Sequence, residues 1–398
     1  MLEISAPSLS DSSRKALEAL LQQAVGRVFP AVSLAVIHRG HEVIKAYGGS
    51  NEGADLHEEA CFDLASITKL FTATAVLQLV SSGQLTLRTP LCEVIPEFSQ
   101  SGPRWTDPPQ SPHSLDRLAM DQPPMRVDPK DLEIHHLLTH TSGLHDWSDF
   151  FLRLGYRPDP PMPGLVPPSR QKEVIGLISD MGFRSSPGPL VYSDLGFILL
   201  GEVVARLKGQ SLDQVIKADV LSPLRLDGIR FNPVTQGRID RASIVSTEWD
   251  QRWRARRVWG EVHDENACAM GGVAGHAGLF GSARQVAQFG WAWLSPESMP
   301  WEIESSLMDQ ARSVQAQQGS ARRGLGFMCK AIEGSSCGRL FSTASFGHTG
   351  FTGTSLWIDP HRELVVACLS NAVYHGRNMK PIFDFRVALH EMLADFFD

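Results

Sequence analysis

The sequence predicts an α/β (α+β) fold, in which an antiparallel sheet is flanked by helices and built from both ends of the chain. The first observation is that residues 31–49 read as two strands joined by a turn at 39–40. The second is that residues 354–371 repeat this pattern, with a turn at 359–360. The third is that the segment between them is mostly helix and loop. Together they favour one α/β lobe with a mostly helical lobe inserted into it.

Each end of the chain also contributes a helix to this prediction. The spacing of Leu17, Leu20, Leu21 and Val25 predicts an amphipathic helix over 11–26, after serines that are suited to capping. A closing helix is predicted over about 379–397. Both helices would pack beside the strands of the same lobe.

The whole chain, 1–398, is interpreted as a single catalytic domain. The α/β lobe is assigned to about 1–64 and 322–398, and the helical lobe to about 65–321. Proline-rich loops are predicted over 99–130 and 156–169. Long loops of this kind are often binding loops or lids, and a surface insertion without function is the alternative.

Composition excludes several classes of partner. The 398 residues carry a net charge of −7 and no basic run, which argues against nucleic acid and anionic membrane surfaces. No apolar stretch approaches the roughly 18 residues of a membrane span. The N-terminal residues lack a signal peptide, so a cytoplasmic location is expected, with a trimmed leader as the alternative.

Nothing in the sequence sets an oligomeric state. The six cysteines are scattered without a CxxC motif, which indicates reduced thiols.

The segment "DLASITKLF" places a lysine at the start of an otherwise apolar helix. Ser66 and Lys69 are three residues apart, so a helix presents them on one face, one turn from each other. The free N–H groups and positive dipole of a helix start would stabilise an oxyanion beside Ser66. The pattern indicates a nucleophilic serine with a lysine as its base. A capping serine followed by a snorkelling lysine gives the same spacing.

A lysine base carries an energetic condition. With an ordinary pKa of ~10.4, lysine is neutral in only about 0.04% of molecules at pH 7, and reaching the neutral form costs about 4–5 kcal/mol. We therefore expect Lys69 to lie in a partly dry cleft where burial or a nearby cation lowers its pKa, or a second group to share the proton.

Two further segments extend this pattern. "LVYSDLGF" places Tyr192 and Asp194 at the head of an apolar helix, and "FGHTGFTGTSLWIDP" places His348 at a glycine-containing strand. Ser-x-x-Lys, Tyr-x-Asp and His-Thr-Gly, in this order, resemble the motifs of the serine β-lactamase and penicillin-binding-protein superfamily. "IHHLLTHTSGLHDW" and "VHDENACAMGGVAGHAGLFGSARQVAQFG" agree. The chain is most similar to the class C β-lactamase-like branch, over about 30–395, which implies a β-lactamase/transpeptidase-like fold.

The resemblance implies a role for each motif. Ser66 would be the nucleophile that forms an acyl-enzyme, Lys69 would activate it, and Tyr192 would shuttle a proton to the leaving group. The backbone N–H groups of Ser66 and Phe351 would form the oxyanion hole. No cofactor and no metal ion is implied.

The third motif is expected to hold the substrate. His348, Thr349 and Gly350 would line the pocket edge and bind a carboxylate or carbonyl of the substrate. β-Lactamases usually have Tyr-x-Asn and Lys-Thr-Gly, whereas this chain has Asp194 and His348. An acid replaces an amide, and a largely neutral imidazole replaces an ammonium group. The sequence therefore predicts an esterase or D-amino-acid peptidase, with a small ester or peptide as substrate and weak or no β-lactamase activity.

A different class of function remains open. A retired relative would bind a cell-wall-type peptide without turnover. Such a binding protein needs neither a nucleophile nor its base, so intact Ser66, Lys69 and Tyr192 favour an enzyme.

Other motifs receive structural interpretations. "GSSCG" matches G-x-S-x-G, but its flanks read as strands joined by a turn, which argues against Ser336 as a nucleophile. A histidine cluster lacks metal-ligand spacing: His135, His136, His140 and His145. His140 is expected to be hydrogen-bonded within a structural turn near the cleft.

The run "VHDENA" precedes a glycine-rich turn. Its His263 and Asp264 are candidate substrate-binding residues, and His276 of "GHAG" is a further candidate beside them. A solvated loop is the alternative.

Overall fold

The structure is a computed structural model, and it describes residues 2–99, 104–105, 126–155, 169–236, 239–295 and 301–398. The predicted loops over 99–130 and 156–169 lie for the most part outside these ranges. Every helix within them is too short or too polar to cross a bilayer.

The described ranges contain short and long strands in the following order: β1 (Leu2–Ser5), β2 (Ala31–His38), β3 (His41–Asn51), β4 (Ala54–Asp55), β5 (Phe62–Asp63), β6 (Arg104–Trp105), β7 (Arg126–Val127), β8 (Arg230–Phe231), β9 (Trp249–Asp250), β10 (Arg256–Arg257), β11 (Leu279–Gly281), β12 (Ala316–Gln318), β13 (Ala321–Arg323), β14 (Met328–Cys329), β15 (Phe346–Thr349), β16 (Ser355–Asp359) and β17 (Leu364–Ser370).

The helices of the same ranges are α1 (Asp11–Ala24), α2 (Thr68–Ser81), α3 (Leu91–Val94), α4 (Ile134–Leu138), α5 (Phe150–Arg153), α6 (Ser169–Asp180), α7 (Asp194–Lys208), α8 (Leu212–Val215), α9 (Glu265–Ala269), α10 (Ala283–Leu294), α11 (Ser305–Arg312) and α12 (Lys380–Phe396).

One large antiparallel sheet joins the two ends of the chain. Its strand order is β1-β3-β2-β17-β16-β15-β14-β13-β12, and β4 pairs with β3. The joint is the pairing of β2 with β17, where Val36 lies opposite Val366. The predicted sheet built from both termini is thereby confirmed. The predicted turns at 39–40 and 359–360 join β2 to β3 and β16 to β17.

Both faces of the central strands are covered, which explains their continuous apolar sequence. On β2, Val32 and Leu34 belong to the core that contains α1 and α12, while Ala31 and Ala35 belong to the core on the opposite face. Because successive side chains alternate between faces, one strand serves both cores.

The opposite face of the sheet is covered by α10, which packs against β2, β16 and β17. Gly290 permits this contact, because a Cβ there would meet Val365 Cγ1 at 2.7 Å and Leu356 Cδ1 at 2.8 Å. The range that the sequence assigned to the helical lobe, 65–321, thus also supplies a helix and a strand, β12, to the sheet layer.

The helical region is centred on α2, which packs against α7. Both helices are buried on nearly all sides, as expected for helices that are apolar all round. In a small sheet of order β5-β11-β8, the strand β5 leads into the turn that precedes α2. The N-termini of α2 and α7 and the end of β15 meet at one cleft.

Candidate active site

The cleft has a volume of about 580 Å³. Sequence-predicted site residues that line it are Ser66, Tyr192, Asp194, His263, Asp264, His348, Thr349, Gly350 and Phe351. Segments that are separated by up to 285 positions in the chain thus come together at one site. Among the lining residues that sequence reasoning missed are Asp146, Trp147, Arg184, Arg323, Arg377 and Arg386.

Ser66 lies in a single 3-10 turn, Ala65–Ile67, immediately before α2. Ala65 has a φ of +47°, a left-handed conformation that is unusual for a residue with a Cβ. The Asp63 carboxylate stabilises it: Oδ1 accepts from Ala65 N at 2.8 Å, and Oδ2 accepts from His263 N at 2.6 Å. Sequence reasoning missed Asp63, although an aspartate two residues before a turn is a recognised turn signal.

Lys69 is fully buried in the first turn of α2. Its Nζ donates to Ser66 Oγ at 2.8 Å and to the His276 carbonyl at 3.1 Å, and it lies 2.8 Å from Asp194 Oδ1. An ammonium group has three N–H donors and no acceptor, so these three oxygens match the charged form of Lys69.

The expectation of a lowered Lys69 pKa is wrong. Burial acts in that direction, but the negative charge of Asp194 and the oxygen of Tyr192 outweigh it, so the pKa of Lys69 lies above its usual 10.5. Sequence spacing revealed the lysine but not its counter-ion, because Asp194 is 125 residues away. Asp194, predicted to bind substrate, makes its short contact with Lys69 and keeps 20% of its side chain exposed to the cleft.

Tyr192 directly precedes Ser193, the N-cap of α7, and its ring centroid lies 5.1 Å from Lys69 Nζ. On its other side the ring packs against His140, with centroids 4.6 Å apart. His140 Nδ1 accepts from Ser193 N at 3.1 Å, so its side chain bonds to the start of α7 and not within its own turn, where the sequence predicted the bond. Burial holds the pKa of His140 well below its usual value, and the positive charges of Arg323 and Lys69 add to this, so a neutral ring supports Tyr192.

His348 is almost completely buried at the end of β15. Its Nδ1 contacts the Thr349 carbonyl at 2.8 Å. Burial, together with the charges of Lys69 and Arg323, holds the pKa of His348 well below 6.5, so the imidazole carries no charge at neutral pH. His348 therefore does not supply the positive charge that the lysine of a Lys-Thr-Gly motif carries.

A positive charge is nevertheless present beside His348. The guanidinium carbon of Arg323, on β13, lies 5.6 Å from the Tyr192 ring centroid. Its Nη1 donates to the Arg322 carbonyl at 3.1 Å, and no carboxylate of the described residues forms an ion pair with it. Only the pairing of β13 with β14 and of β14 with β15 brings Arg323 to the cleft, so no local sequence signal marks it.

Phe351 lies in the turn after β15, and this turn packs against the turn that carries Ser66. A Cβ on Gly350 would meet Thr354 Oγ1 at 2.0 Å and the Leu64 carbonyl at 2.6 Å, so glycine is required for this approach. Thr352 Oγ1 donates to the Asp63 carbonyl at 2.8 Å. Within the described ranges, neither Phe351 N nor Ser66 N donates to the backbone, so both N–H groups are available to an oxyanion.

The far wall of the cleft is a charged network. The His263 ring lies against Phe351, with centroids 5.7 Å apart, and its Nε2 is 3.1 Å from Glu248 Oε1. Glu248 outweighs the effect of burial and raises the pKa of His263. Although burial opposes it, hydrogen bonds from His263 and Arg377 lower the pKa of Glu248 to about 2. His263 thus lines the cleft with its ring held by Glu248.

Asp264 lies beside this network at the N-cap of α9, where Oδ1 accepts from Ala267 N at 2.7 Å. The same oxygen is 2.9 Å from His276 Nε2. His276 and backbone hydrogen bonds hold the pKa of Asp264 well below its usual value despite burial. The predicted association with His276 is present, and 21% of the Asp264 side chain faces the cleft.

The G-x-S-x-G motif and the histidine cluster, which the sequence analysis interpreted as structural, do not line the cleft. Ser336 is buried outside the cleft and its Oγ accepts from Trp357 Nε1 at 3.1 Å. His135 and His136 pack against each other at 5.7 Å. Within the described residues, no group of three or more acidic, histidine or cysteine side chains is arranged to hold a metal ion. The six cysteines are free thiols.

Comparisons with known proteins find relatives of this chain over most of its length. A family profile described as "Beta-lactamase" matches residues 17–389. A putative D-alanyl-D-alanine carboxypeptidase of Escherichia coli (strain K12) is 28% identical over 381 residues, covering 88% of this chain and 80% of the relative. An N-acetylmuramyl-L-alanine amidase of Bacillus subtilis (strain 168) is 29% identical over 390 residues, covering 91% and 81%.

A solved structure shares the fold. EstCE1, a hydrolase with promiscuous acyltransferase activity, superposes with a TM-score of 0.70 at 19% identity, over 95% of this chain and 98% of that one. The profile match spans nearly the whole chain and includes the Ser66, Tyr192 and His348 motifs. The chain therefore belongs to the beta-lactamase family of serine hydrolases and penicillin-binding-protein homologues.

Proposed function

We propose that the protein hydrolyses an ester or amide through an acyl-enzyme on Ser66. The observation that carries this proposal is the 2.8 Å contact between the Ser66 hydroxyl and the fully buried Lys69 ammonium. A cation held at this distance stabilises the alkoxide that develops as Ser66 attacks. The free N–H groups of Ser66 and Phe351 support the same reaction, because the acyl oxygen becomes negative in the tetrahedral intermediate.

The raised pKa of Lys69 determines how the proton moves in this proposal. Because Lys69 is already an ammonium group, the Ser66 proton has to pass to another residue. Tyr192 takes it while it gives its own proton to the leaving group, so the phenol is regenerated in the same step. Lys69 positions Ser66 and balances the charge, and Asp194 keeps Lys69 protonated.

We infer that the substrate is a small ester or a D-amino-acid peptide. Arg323 supports a substrate with a carboxylate near the scissile bond, since it is a cleft cation without an ion-pair partner among the described residues. The name of one relative, a putative D-alanyl-D-alanine carboxypeptidase, agrees with such a substrate. Asp194 stands where β-lactamases usually have an amide, and we infer weak or no β-lactamase activity.

Labelling with a fluorophosphonate tests the nucleophile. We expect the probe to modify the wild type once, at Ser66, and not to modify Ser66→Ala, which should also lose hydrolysis. Ser336→Ala is the matched control, because Ser336 lies in the other nucleophile-like motif outside the cleft. An unlabelled wild type would favour the alternative of a binding protein without turnover. Full activity in Ser66→Ala would refute the proposal.

A substrate panel tests the specificity. We expect kcat/KM for p-nitrophenyl butyrate, or for a D-alanyl peptide, to exceed that for nitrocefin by a wide margin. A nitrocefin value near the ~10⁶ M⁻¹s⁻¹ of efficient enzymes would contradict the inferred specificity while leaving the acyl-enzyme chemistry intact.

A further inference from the structure

A buried cation lies behind the oxyanion hole and has no acidic partner. Arg386, on α12, is 5% exposed and reaches the inner wall of the cleft. No carboxylate of the described residues forms an ion pair with it. Burial lowers the pKa of Arg386 to about 10, so it remains a cation at neutral pH. Because an unpaired buried charge costs several kcal/mol, its retention calls for a function.

Arg386 contacts the turn that carries Phe351. Its Nη2 donates to the Thr354 carbonyl at 2.6 Å and to the Gly350 carbonyl at 3.2 Å. These carbonyls lie at the two ends of the turn, and Gly350 N donates to the same Thr354 carbonyl at 2.7 Å. The guanidinium therefore holds both ends of the turn in place.

The contact with Gly350 also has an electronic consequence. The Gly350 carbonyl and the Phe351 N–H belong to one peptide unit, whose C–N bond has partial double-bond character. A cation at the carbonyl oxygen draws electron density away from the nitrogen, and linked hydrogen bonds of this kind strengthen each other. The Phe351 N–H thus becomes a stronger donor on the opposite, cleft side of the peptide.

We propose that Arg386 is a positioning residue that fixes the Phe351 turn and strengthens the Phe351 N–H as an oxyanion donor. This inference rests on the proposed acyl-enzyme chemistry. It assigns a task to a residue that does not itself touch the substrate. The amide of Phe351 is the link between Arg386 and the reacting oxygen.

The helix pattern supports a specific role for Arg386. On α12 the buried stripe runs through Ile382, Phe385, Leu389 and Leu393, and Arg386 occupies a core-facing position within it. An apolar residue at that position would complete the stripe at no electrostatic cost. Arg386 is the charged residue among the buried positions of α12, and its Nη2 donates to the turn rather than to another helix.

The test compares Arg386→Met with the wild type, with kcat expressed per active site titrated with a fluorophosphonate. Loss of an oxyanion donor costs roughly 10²–10³-fold in kcat. Because the donor itself remains here, we expect a smaller loss of about 10-fold in kcat with little change in KM. The affinity for butylboronic acid, which forms a tetrahedral adduct on the serine, should fall by a similar factor. If Arg386 had a purely structural role, the substitution would lower the number of titrated sites. It would leave kcat per titrated site and the affinity for butylboronic acid unchanged.

Two further variants complete the design. Arg206→Met is the matched control, because Arg206 is a partly buried helical arginine that pairs with Glu97 at 2.7 Å outside the cleft. Should Arg386→Met not fold, Arg386→Gln replaces it, since it removes the charge but keeps an N–H donor. Unchanged kcat and boronate affinity per titrated site in the folded variant would overturn this inference. Activity in Ser66→Ala would instead overturn the proposed function.

Discussion

At the residue scale, the charge state of Lys69 is set by its contact with Asp194. Burial of an ammonium group without a partner would drive it to the neutral form, whereas a carboxylate at 2.8 Å reverses that preference. The aspartate of the Tyr-x-Asp motif thus affects Lys69 differently from the amide that β-lactamases usually have at this position. Asp194 converts Lys69 from a candidate base into a fixed positive charge beside Ser66.

The first prediction concerns Asp194→Asn. Removal of the carboxylate leaves burial as the main influence, so the pKa of Lys69 should fall. Lys69 loses its proton as pH rises through this pKa, and activity should fall with it. We expect the alkaline limb of kcat/KM for p-nitrophenyl butyrate to lie above pH 10.5 in the wild type and at lower pH in the variant. Asp219→Asn, which removes an ion pair with Lys208, is the control. A variant whose activity instead rises through neutral pH would show that neutral Lys69 is the base.

The second prediction concerns the shared task of Lys69 and Tyr192. Tyr192→Phe should lose at least ~10²-fold in kcat, of the order expected when a proton-transfer group is removed. Lys69→Met should lose a similar amount, since it removes the cation that stabilises the Ser66 alkoxide. Because Lys69 stabilises the alkoxide that forms as Tyr192 takes the Ser66 proton, the double variant should lose much less than the product of the two losses. Multiplicative losses would show that the two residues act independently.

At the scale of elements, the site depends on how closely β15 approaches the start of α2. Gly350 allows this approach, and hydroxyl groups of the following turn tie it to the Ser66 turn: Thr352 donates to Asp63 and Thr354 to Leu64. These contacts fix the turn that carries Phe351 against the turn that carries Ser66.

The third prediction is that Gly350→Ala separates these halves. Its Cβ would lie 2.0 Å from Thr354 Oγ1, so the turn has to shift away from the start of α2. We expect a loss of ~10²-fold or more in kcat, comparable to the removal of one oxyanion donor. Gly176→Ala, on α6, is the control, because a Cβ there meets nothing within 4 Å. Equal activity of the two variants would contradict this view of Gly350.

At the scale of the whole molecule, the closing helix α12 couples stability to pH. His390 is fully buried on α12, and its Nδ1 lies 2.6 Å from the Arg386 carbonyl. Burial lowers the pKa of His390 from 6.5 to about 4. Below pH 6.5 the unfolded chain binds a proton at this residue that the folded chain does not bind. The free energy of unfolding must therefore fall as pH decreases from 6.5 towards about 4.

The fourth prediction quantifies this effect. At about 1.36 kcal/mol per pKa unit, His390 alone accounts for about 3 kcal/mol of the stability lost between pH 7 and pH 4. In His390→Gln, which cannot titrate, the loss measured by urea unfolding at the two pH values should be smaller by about that amount. Comparing each variant with itself removes any constant cost of the substitution. Equal losses in the two proteins would contradict the assignment.

The strands at both termini, their turns and the terminal helices could be predicted because apolar periodicity and turn residues are local signals. The sheet order could not be derived in this way, because the pairing of β2 with β17 joins segments more than 300 residues apart. The role of α10 as a cover of the sheet was missed for the same reason. Its own sequence shows an amphipathic helix but not which surface it covers.

The sequence by itself determined that Ser66 and Lys69 are neighbours, because three residues in a helix make one turn and no distant contact is needed. Only the tertiary structure decided the charge of Lys69, since this depends on burial and on Asp194. The positions of Arg323 and Arg386 were likewise set by strand pairing and helix packing. Electrostatic effects act through space between residues that are distant in sequence, and therefore the chemistry of this cleft is a property of the fold.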